Sequence, residues 1–330
     1  MVDSVDVTQT LADAGEFGLI TEILAAARAA ALDESGVLIG PGDDAAVLDL
    51  GDSPVLTSMD NLVEGVHFKT SWSAAHDVGR KAVAVNVADI EAMGGRARYL
   101  LVGFSAPSDT PLEWVRGFVA GLVAECATAG VTLVGGDTTR GAVISVSVTV
   151  IGRLSSGTSP VTRAGARPGQ VVAICGRLGW AAAGLAALRR GFRSPGSVVR
   201  AHRVPEVPYG QGQVAAAAGA TAMIDVSDGL LADLGHLAAA SGVRIDLDPA
   251  TLAIADPVVL VGQATGTNAL GLVLTGGEDH ALVATFDPET VPDGWQVVGV
   301  VLTESSDTER PAVLVDGAPW QDAAGWEHFR

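Results

Sequence analysis

Aspartate recurs at turn-forming segments along this chain: Gly42-Asp43-Asp44, Ser58-Met59-Asp60, Gly135-Gly136-Asp137 and Asp225-Val226-Ser227-Asp228-Gly229. Any one of these is what a turn or a helix N-cap prefers. Taken together they place carboxylates at strand ends, along one edge of a sheet. Carboxylates about 4 Å apart repel by about 4 kcal/mol a pair at an effective dielectric near 20, so a converging set demands cations. Hard oxygen ligands select magnesium or calcium. Asp89 adds a carboxylate on a helical segment, where it shares a face with Lys81, Val85 and Asn86. Ala82, Val83, Ala84, Val85, Val87, Ala88 and Ile90 make that segment apolar nearly all round. The helix should therefore be buried, and a buried Asp needs a partner.

For phosphate the chain has glycine-rich turns but no GxxxxGK[ST]. Lysine occurs only at Lys69 and Lys81, neither after a glycine-rich run. Walker-type and protein-kinase sites are excluded. A nucleotide must be held through backbone N–H groups, metal bridges and arginine, for which Arg140 and Arg163 are candidates. No Ser/His/Asp or Cys/His pattern offers a nucleophile, and His67, His202 and His236 lack metal-ligand spacing. The aspartates alone would also suit a metal-dependent phosphatase.

The elements that must position these residues are readable in outline. A helix is expected over 16–31, a Gly/Pro/Asp-rich loop over 36–50 and an extended segment over 55–58. A second helix over 75–93 ends at Gly94-Gly95, and a third opens on a capping box, Thr110-Pro111-Leu112-Glu113, and stops at Gly130. Ile144, Val146, Val148 and Val150 alternate with Ser145, Ser147 and Thr149, the period of a half-buried strand. Residues 153–170 carry no period and mark a domain boundary, giving domains 1–152 and 153–330. Beyond it come a strand at Val171 to Cys175 leading into an alanine-rich helix, and a strand-to-helix passage at Met223 to Ala240. Strands near 272–275 and 281–286 are expected to flank the turn Gly276-Gly277-Glu278-Asp279. Both halves read as α/β, in the α+β sense of mixed elements.

The chain has 330 residues, 48% of them hydrophobic, enough for two cores. Its net charge of -18 opposes nucleic acid and anionic lipid. The two cysteines, Cys126 and Cys175, form no disulfide framework. With neither a basic-apolar leader nor an apolar run of about 18 residues, a cytoplasmic protein without membrane spans is expected.

Seven segments in order, over nearly the whole chain, resemble the thiamine-monophosphate kinase family. They are Gly15-Glu16-Phe17, the run from Gly40 to Ala45, the run from Asp60 to Phe68, the run from Lys81 to Asp89, the run from Gly135 to Gly141, the run from Asp225 to Leu230, and Gly276-Gly277-Glu278-Asp279. The wider superfamily includes aminoimidazole ribonucleotide synthetase, selenophosphate synthetase and a hydrogenase-maturation enzyme. No N-terminal cysteine and no C-terminal cysteine is present, which disfavours the last two. Aminoimidazole ribonucleotide synthetase remains the alternative enzyme, and a non-catalytic nucleotide sensor the alternative of another class.

The resemblance implies an N-terminal domain that binds ATP and metal and pairs its sheet across a homodimer, with a C-terminal α/β domain packed beside it. It implies magnesium ions on Asp44, Ser58, Asp60, Asp89, Asp137, Asp225 and Asp228. ATP would be contacted by Gly136, Asp137, Arg163 and Ser227, and thiamine monophosphate by His67, Glu278 and Trp326. Met59 stands where the family commonly carries a hydroxyl residue, which puts one auxiliary metal contact in doubt. His280 stands where tyrosine is frequent, with no function attached.

Overall fold

A computed structural model describes residues 10–31, 36–39, 47–48, 51–52, 54–303, 312–321 and 325. The chain divides into two compact units, Met1–Val87 with Ala97–Ser156, and Ala88–Arg96 with Gly157–Arg330.

The first unit runs α1 (Leu11–Ala29), β1 (Val37–Ile39), β2 (Val47–Leu48), β3 (Val55–Val63), α2 (Ala75–Ala92), β4 (Arg96–Ala106), α3 (Leu112–Ala129), β5 (Thr132–Arg140) and β6 (Ser145–Arg153). Its four-stranded sheet has the order β3-β6-β4-β5. The alternation expected around residue 146 is the core register of this sheet. Val146, Val148 and Val150 are fully buried, opposite Leu62, Asp60 and Ser58 of β3. Helix α2 is buried as its composition requires, from Ala82 to Ala88, and its last residues belong to the second unit. Phe104 on β4 and Trp114 and Phe118 on α3 stack together, with Trp114 and Phe118 centroids 5.9 Å apart.

The second unit runs β7 (Val171–Cys175), α4 (Trp180–Arg189), α5 (Gly196–Arg203), α6 (Gln211–Ala217), β8 (Ala222–Asp225), α7 (Leu230–Ser241), β9 (Val243–Leu247), α8 (Asp256–Thr265), α9 (Ala269–Thr275), β10 (Leu282–Phe286), β11 (Gln296–Thr303) and β12 (Val313–Val315). The six strands are ordered β12-β9-β11-β7-β10-β8. One face builds a core of Val172, Ile174, Ile224, Val283 and Ile245 with Leu230, Leu234 and Leu237 of α7. The opposite face packs Ala173, Met223, Ala284 and Phe286 against Ala215 and Trp295. Strand β10 runs antiparallel to both β7 and β8, so the ends of β7 and β8 and the start of β10 share one sheet edge.

Three expectations are corrected. Residues 272–275 are the end of helix α9, not a strand. A short apolar run has no decisive period, and Asn268, whose side chain accepts the Leu270 N–H, starts a helix there. The capping box at Thr110 does not form. Pro111 takes the N-cap position in extended backbone, so Thr110 lies one residue too early. A reciprocal cap is found on α1 instead, where the Asp13 carboxylate accepts from the Thr10 N–H and hydroxyl, each at 2.8 Å. Finally, Asp60 and Asp137 lie inside β3 and β5, not at strand ends. Glycine did not stop β5, because β4 comes too close there to admit a side chain: a Cβ on Gly136 would lie 2.0 Å from the Val102 carbonyl oxygen.

Among the described residues no single helix is long and apolar enough to cross a membrane.

Candidate active site

In the first unit, strand alternation turns Ser58 and Asp60 toward the core face and Met59 to the open face, where it is 56% exposed. The Asp60 N–H donates to Asn86 Oδ1 at 2.9 Å, and the Asn86 amide donates in turn to the Ala82 carbonyl. Strand register is thereby tied to α2, on which Asp89 follows Asn86 by three residues. Asp89, in the part of α2 that belongs to the second unit, is half-buried, less enclosed than its apolar neighbours led one to expect. Asp137 is exposed and pairs with Gly103. Because β3 and β5 are the two outer strands of the sheet, two strands separate Asp60 from Asp137.

His67 sits in the turn after β3. Its Nδ1 accepts the Val63 N–H at 3.0 Å, and the buried Lys81 ammonium donates to its carbonyl at 3.1 Å. An Nδ1 that accepts a backbone N–H carries no proton, which places the neutral ring's hydrogen on Nε2.

In the second unit, two turns at the shared sheet edge are stitched together. The Glu278 N–H donates to the Ser227 carbonyl at 2.8 Å and the His280 N–H to the Val226 carbonyl at 2.9 Å. A Cβ on Gly277 would lie 2.5 Å from the Ser227 oxygen, so the two backbones meet without room for a side chain. Glu278 and His280 both take left-handed backbone, with φ of 70° and 51°, a conformation that costs non-glycine residues and recurs at functional sites. Asp225 ends β8 buried, its Oδ2 at 3.0 Å from His280 Nδ1. Asp228, Ser227 and Glu278 are half-buried, and Arg163 is exposed with its carbonyl held by the Ser241 hydroxyl. Gly325 packs on the same turn, where a Cβ would meet the Asp228 carbonyl oxygen at 2.6 Å. Asp44 and Trp326 lie outside the described residues.

Two buried carboxylates to which the sequence assigned no role, Asp233 and Asp279, brace these turns. Asp233 Oδ2 accepts three consecutive backbone N–H groups, from Ser227, Asp228 and Gly229. Burial pushes its carboxyl up to about 7, helped by the charges of Asp225 and Asp228 and opposed by the N–H groups. Asp279 accepts from the Gly179 N–H and, at 2.7 Å, from the Ala181 N–H at the start of α4. It is likewise raised to about 7 by burial, against the pull of those bonds and of His280 and Arg177. The sequence signal for Asp279 was its place in the Gly276-Gly277-Glu278-Asp279 motif, and for Asp233 only its closeness to the run from Asp225 to Leu230.

Magnesium fits this donor set by its chemistry. The ligands are hard oxygens, the charges of Asp225 and Asp228 act on Asp233, and among the described residues no lysine or arginine pairs with either. Among the described residues no group of three or more His, Cys, Asp or Glu side chains stands close enough to hold a metal by itself.

The family models for the AIR synthase related protein match this chain in both halves, the N-terminal domain over residues 42–154 and the C-terminal domain over 167–310. The thiamine-monophosphate kinase of Mycobacterium tuberculosis is 49% identical over 322 residues, 97% of this chain and 93% of that protein. The crystal structure of thiamine-monophosphate kinase from Stenotrophomonas maltophilia matches with a TM-score of 0.79 and 31% identity, covering 90% of this chain and 96% of that one. A structure described as AaThiL complexed with AMPPCP and TMP matches with a TM-score of 0.77 and 32% identity, covering 98% of this chain and 99% of that one. With a two-domain mixed α/β fold and likeness along its whole length, this chain belongs to the thiamine-monophosphate kinase family.

Proposed function

We propose that this protein transfers the γ-phosphoryl group of ATP to the phosphate oxygen of thiamine monophosphate, giving thiamine diphosphate and ADP. The observation that carries this reading is the match over 98% of the chain to a structure holding AMPPCP, an ATP analogue, together with TMP. A phosphomonoester carries about -1.5 to -2 charge at neutral pH, so its oxygen is already ionised and the enzyme needs no strong general base. The absence of a nucleophile pattern follows from this. What has to be overcome is repulsion between two anions in a protein of net charge -18.

Asp44, Ser58, Asp60, Asp89, Asp137, Asp225 and Asp228 would hold magnesium. When bound, the ions supply charge neutralisation on the phosphates and orient an in-line transfer. Gly136, Asp137, Arg163 and Ser227 contact ATP in this reading, the exposed Arg163 guanidinium being available to a phosphate. His67 offers an Nε2–H donor and Glu278 a carboxylate to thiamine monophosphate. Trp326 would stack on one of its rings. Residues 1–152 form the ATP, metal and dimerisation domain and 153–330 complete the nucleotide and substrate site, in a cytoplasmic homodimer. The open sheet face, with Val55 and Met59 about half exposed, is the surface we assign to the second copy.

Purified protein given ATP, magnesium and thiamine monophosphate should form thiamine diphosphate and ADP in equal amounts, and chelation should abolish this. ATP hydrolysis without thiamine diphosphate, or full turnover in excess EDTA, would overturn the reading.

A further inference from the structure

The loop Asp225-Val226-Ser227-Asp228-Gly229 joins β8 to α7, and its last three backbone N–H groups point at one spot. Successive N–H groups at a helix start make a cradle for an anion. In many nucleotide-binding loops that anion is a phosphate of the ligand. Here the chain fills the cradle itself: Asp233 Oδ2 lies 3.1 Å from the Ser227 nitrogen, 3.1 Å from that of Asp228 and 3.0 Å from that of Gly229. Asp233 is 2% exposed and sits one turn into α7, its own N–H donating to the Gly229 carbonyl. The loop is thus closed on the helix from both sides.

We infer that Asp233 is a positioning residue, whose carboxylate takes the place of a phosphate in this cradle and thereby fixes the directions in which Asp225 and Asp228 project. Two consequences follow. The cradle is not where a nucleotide phosphate binds. The loop also keeps one conformation while its carboxylates gain or lose cations, because the backbone does not depend on the ligand for its hydrogen bonds. Asp225 is held independently by His280, so loss of Asp233 should fall most heavily on Asp228, whose own N–H is one of the three.

The inference rests on the reading that Asp225 and Asp228 carry magnesium, and the test separates the two. In the full-length protein, the magnesium concentration giving half-maximal AMPPCP binding would be measured by calorimetry for wild type, Asp233→Ala and Asp233→Asn, alongside melting temperature and residue-resolved amide exchange. Asn retains an oxygen for the cradle. The expected result is a rise of at least about tenfold in the magnesium requirement for Asp233→Ala, with rapid exchange at Ser227, Asp228 and Gly229. Asp233→Asn should stay within about threefold of wild type. An unchanged magnesium requirement in Asp233→Ala overturns the inference, as does Asp233→Asn being as impaired as the alanine variant. Should the alanine variant fail to fold, rapid exchange of the three amides in wild type would do the same. Wild-type AMPPCP binding indifferent to magnesium would instead overturn the metal reading, while amide protection would still judge the cradle.

Discussion

The two units hold their carboxylates in different ways. In the first, Asp60 and Asp137 are residues of β-strands, and ladder register with Val148 and Gly103 sets their places. In the second, Asp225 and Asp228 sit at a strand end and in a turn, where no ladder continues. There the backbone N–H groups of Ser227, Asp228 and Gly229 find an acceptor in the buried carboxylate of Asp233, while Asp279 in the neighbouring turn accepts from Gly179 and Ala181 at the start of α4. A sheet supplies its own hydrogen bonds; a turn at a sheet edge must be given them, because a buried N–H without a partner is costly. The strand-borne pair should therefore tolerate changes in neighbouring side chains, whereas the turn-borne pair should depend on residues that touch no ligand.

The largest effect should come from the turn-borne ligands themselves. Asp228→Asn should lower kcat by at least about a hundredfold, or about 2.7 kcal/mol of transition-state stabilisation. Melting temperature without cation should hold or rise, since one charge leaves a self-repelling set. Steady-state kinetics beside a melting curve check this. Parallel losses of folding and activity would mean that Asp228 is a structural turn residue.

Glycine replacements sharpen the contrast. Gly136→Ala places a Cβ against the Val102 carbonyl within the β4–β5 ladder, and Gly277→Ala places one against the Ser227 carbonyl between the two turns. Overpacking of this kind costs roughly 1–3 kcal/mol. In the ladder the cost should appear as lost stability, because neither strand can shift without breaking its register. Between the turns it should appear first as lost turnover, with denaturation midpoints closer to wild type. The reverse pattern would remove the distinction between register-held and acceptor-held carboxylates.

A smaller effect, readable by pH, isolates one brace. Asp279 has an unfolded value near 3.8 and is raised by burial to about 7 in the fold. Between those values the folded protein keeps a proton that the unfolded chain has released. Stability from this group is therefore full below about pH 4 and is lost as pH rises to about 7. Asp279→Asn should remove that slope, so the stability difference between wild type and variant, followed by urea denaturation across this range, should shift against wild type as pH rises. A difference independent of pH would mean that Asp279 ionises normally in the fold.

The sequence revealed the parts of this molecule governed by period and left out those governed by contact. The alternation around Val146, the apolar surround of α2 and the strand at Val171 to Cys175 were readable because burial imposes a repeat. The end of α9 was misread because Leu272 to Thr275 is too short for a repeat to decide, and Thr110 because Pro111 could itself take the cap position. Asp60, Asp137, Asp225 and Asp228 could be singled out by their neighbours along the chain. Asp233 could not, and Asp279 stood in the Gly276-Gly277-Glu278-Asp279 motif without a role, because what each does is defined by which N–H groups it reaches after folding. His280 directly follows the Gly276-Gly277-Glu278-Asp279 motif, yet only the fold shows it beside Asp225.

The smallest effect expected is at Met59, and it follows from strand geometry alone. A hydroxyl residue here would add an oxygen beside Ser58 and Asp60, which makes Met59 look like a missing ligand. Successive side chains on a strand point to opposite faces, and the burial of β3 obeys this: Ser58 and Asp60 turn inward while Met59 is largely exposed on the open face. A side chain at residue 59 therefore projects to the side of β3 opposite those of Ser58 and Asp60. Met59→Thr should leave the magnesium concentration for half-maximal turnover unchanged and alter stability by no more than about 0.5 kcal/mol, as for other exposed positions. Met59→Asp, on the face assigned to the second copy, should instead weaken self-association in sedimentation at micromolar protein. A fall in the magnesium requirement of Met59→Thr would erase the difference between the two sides of β3.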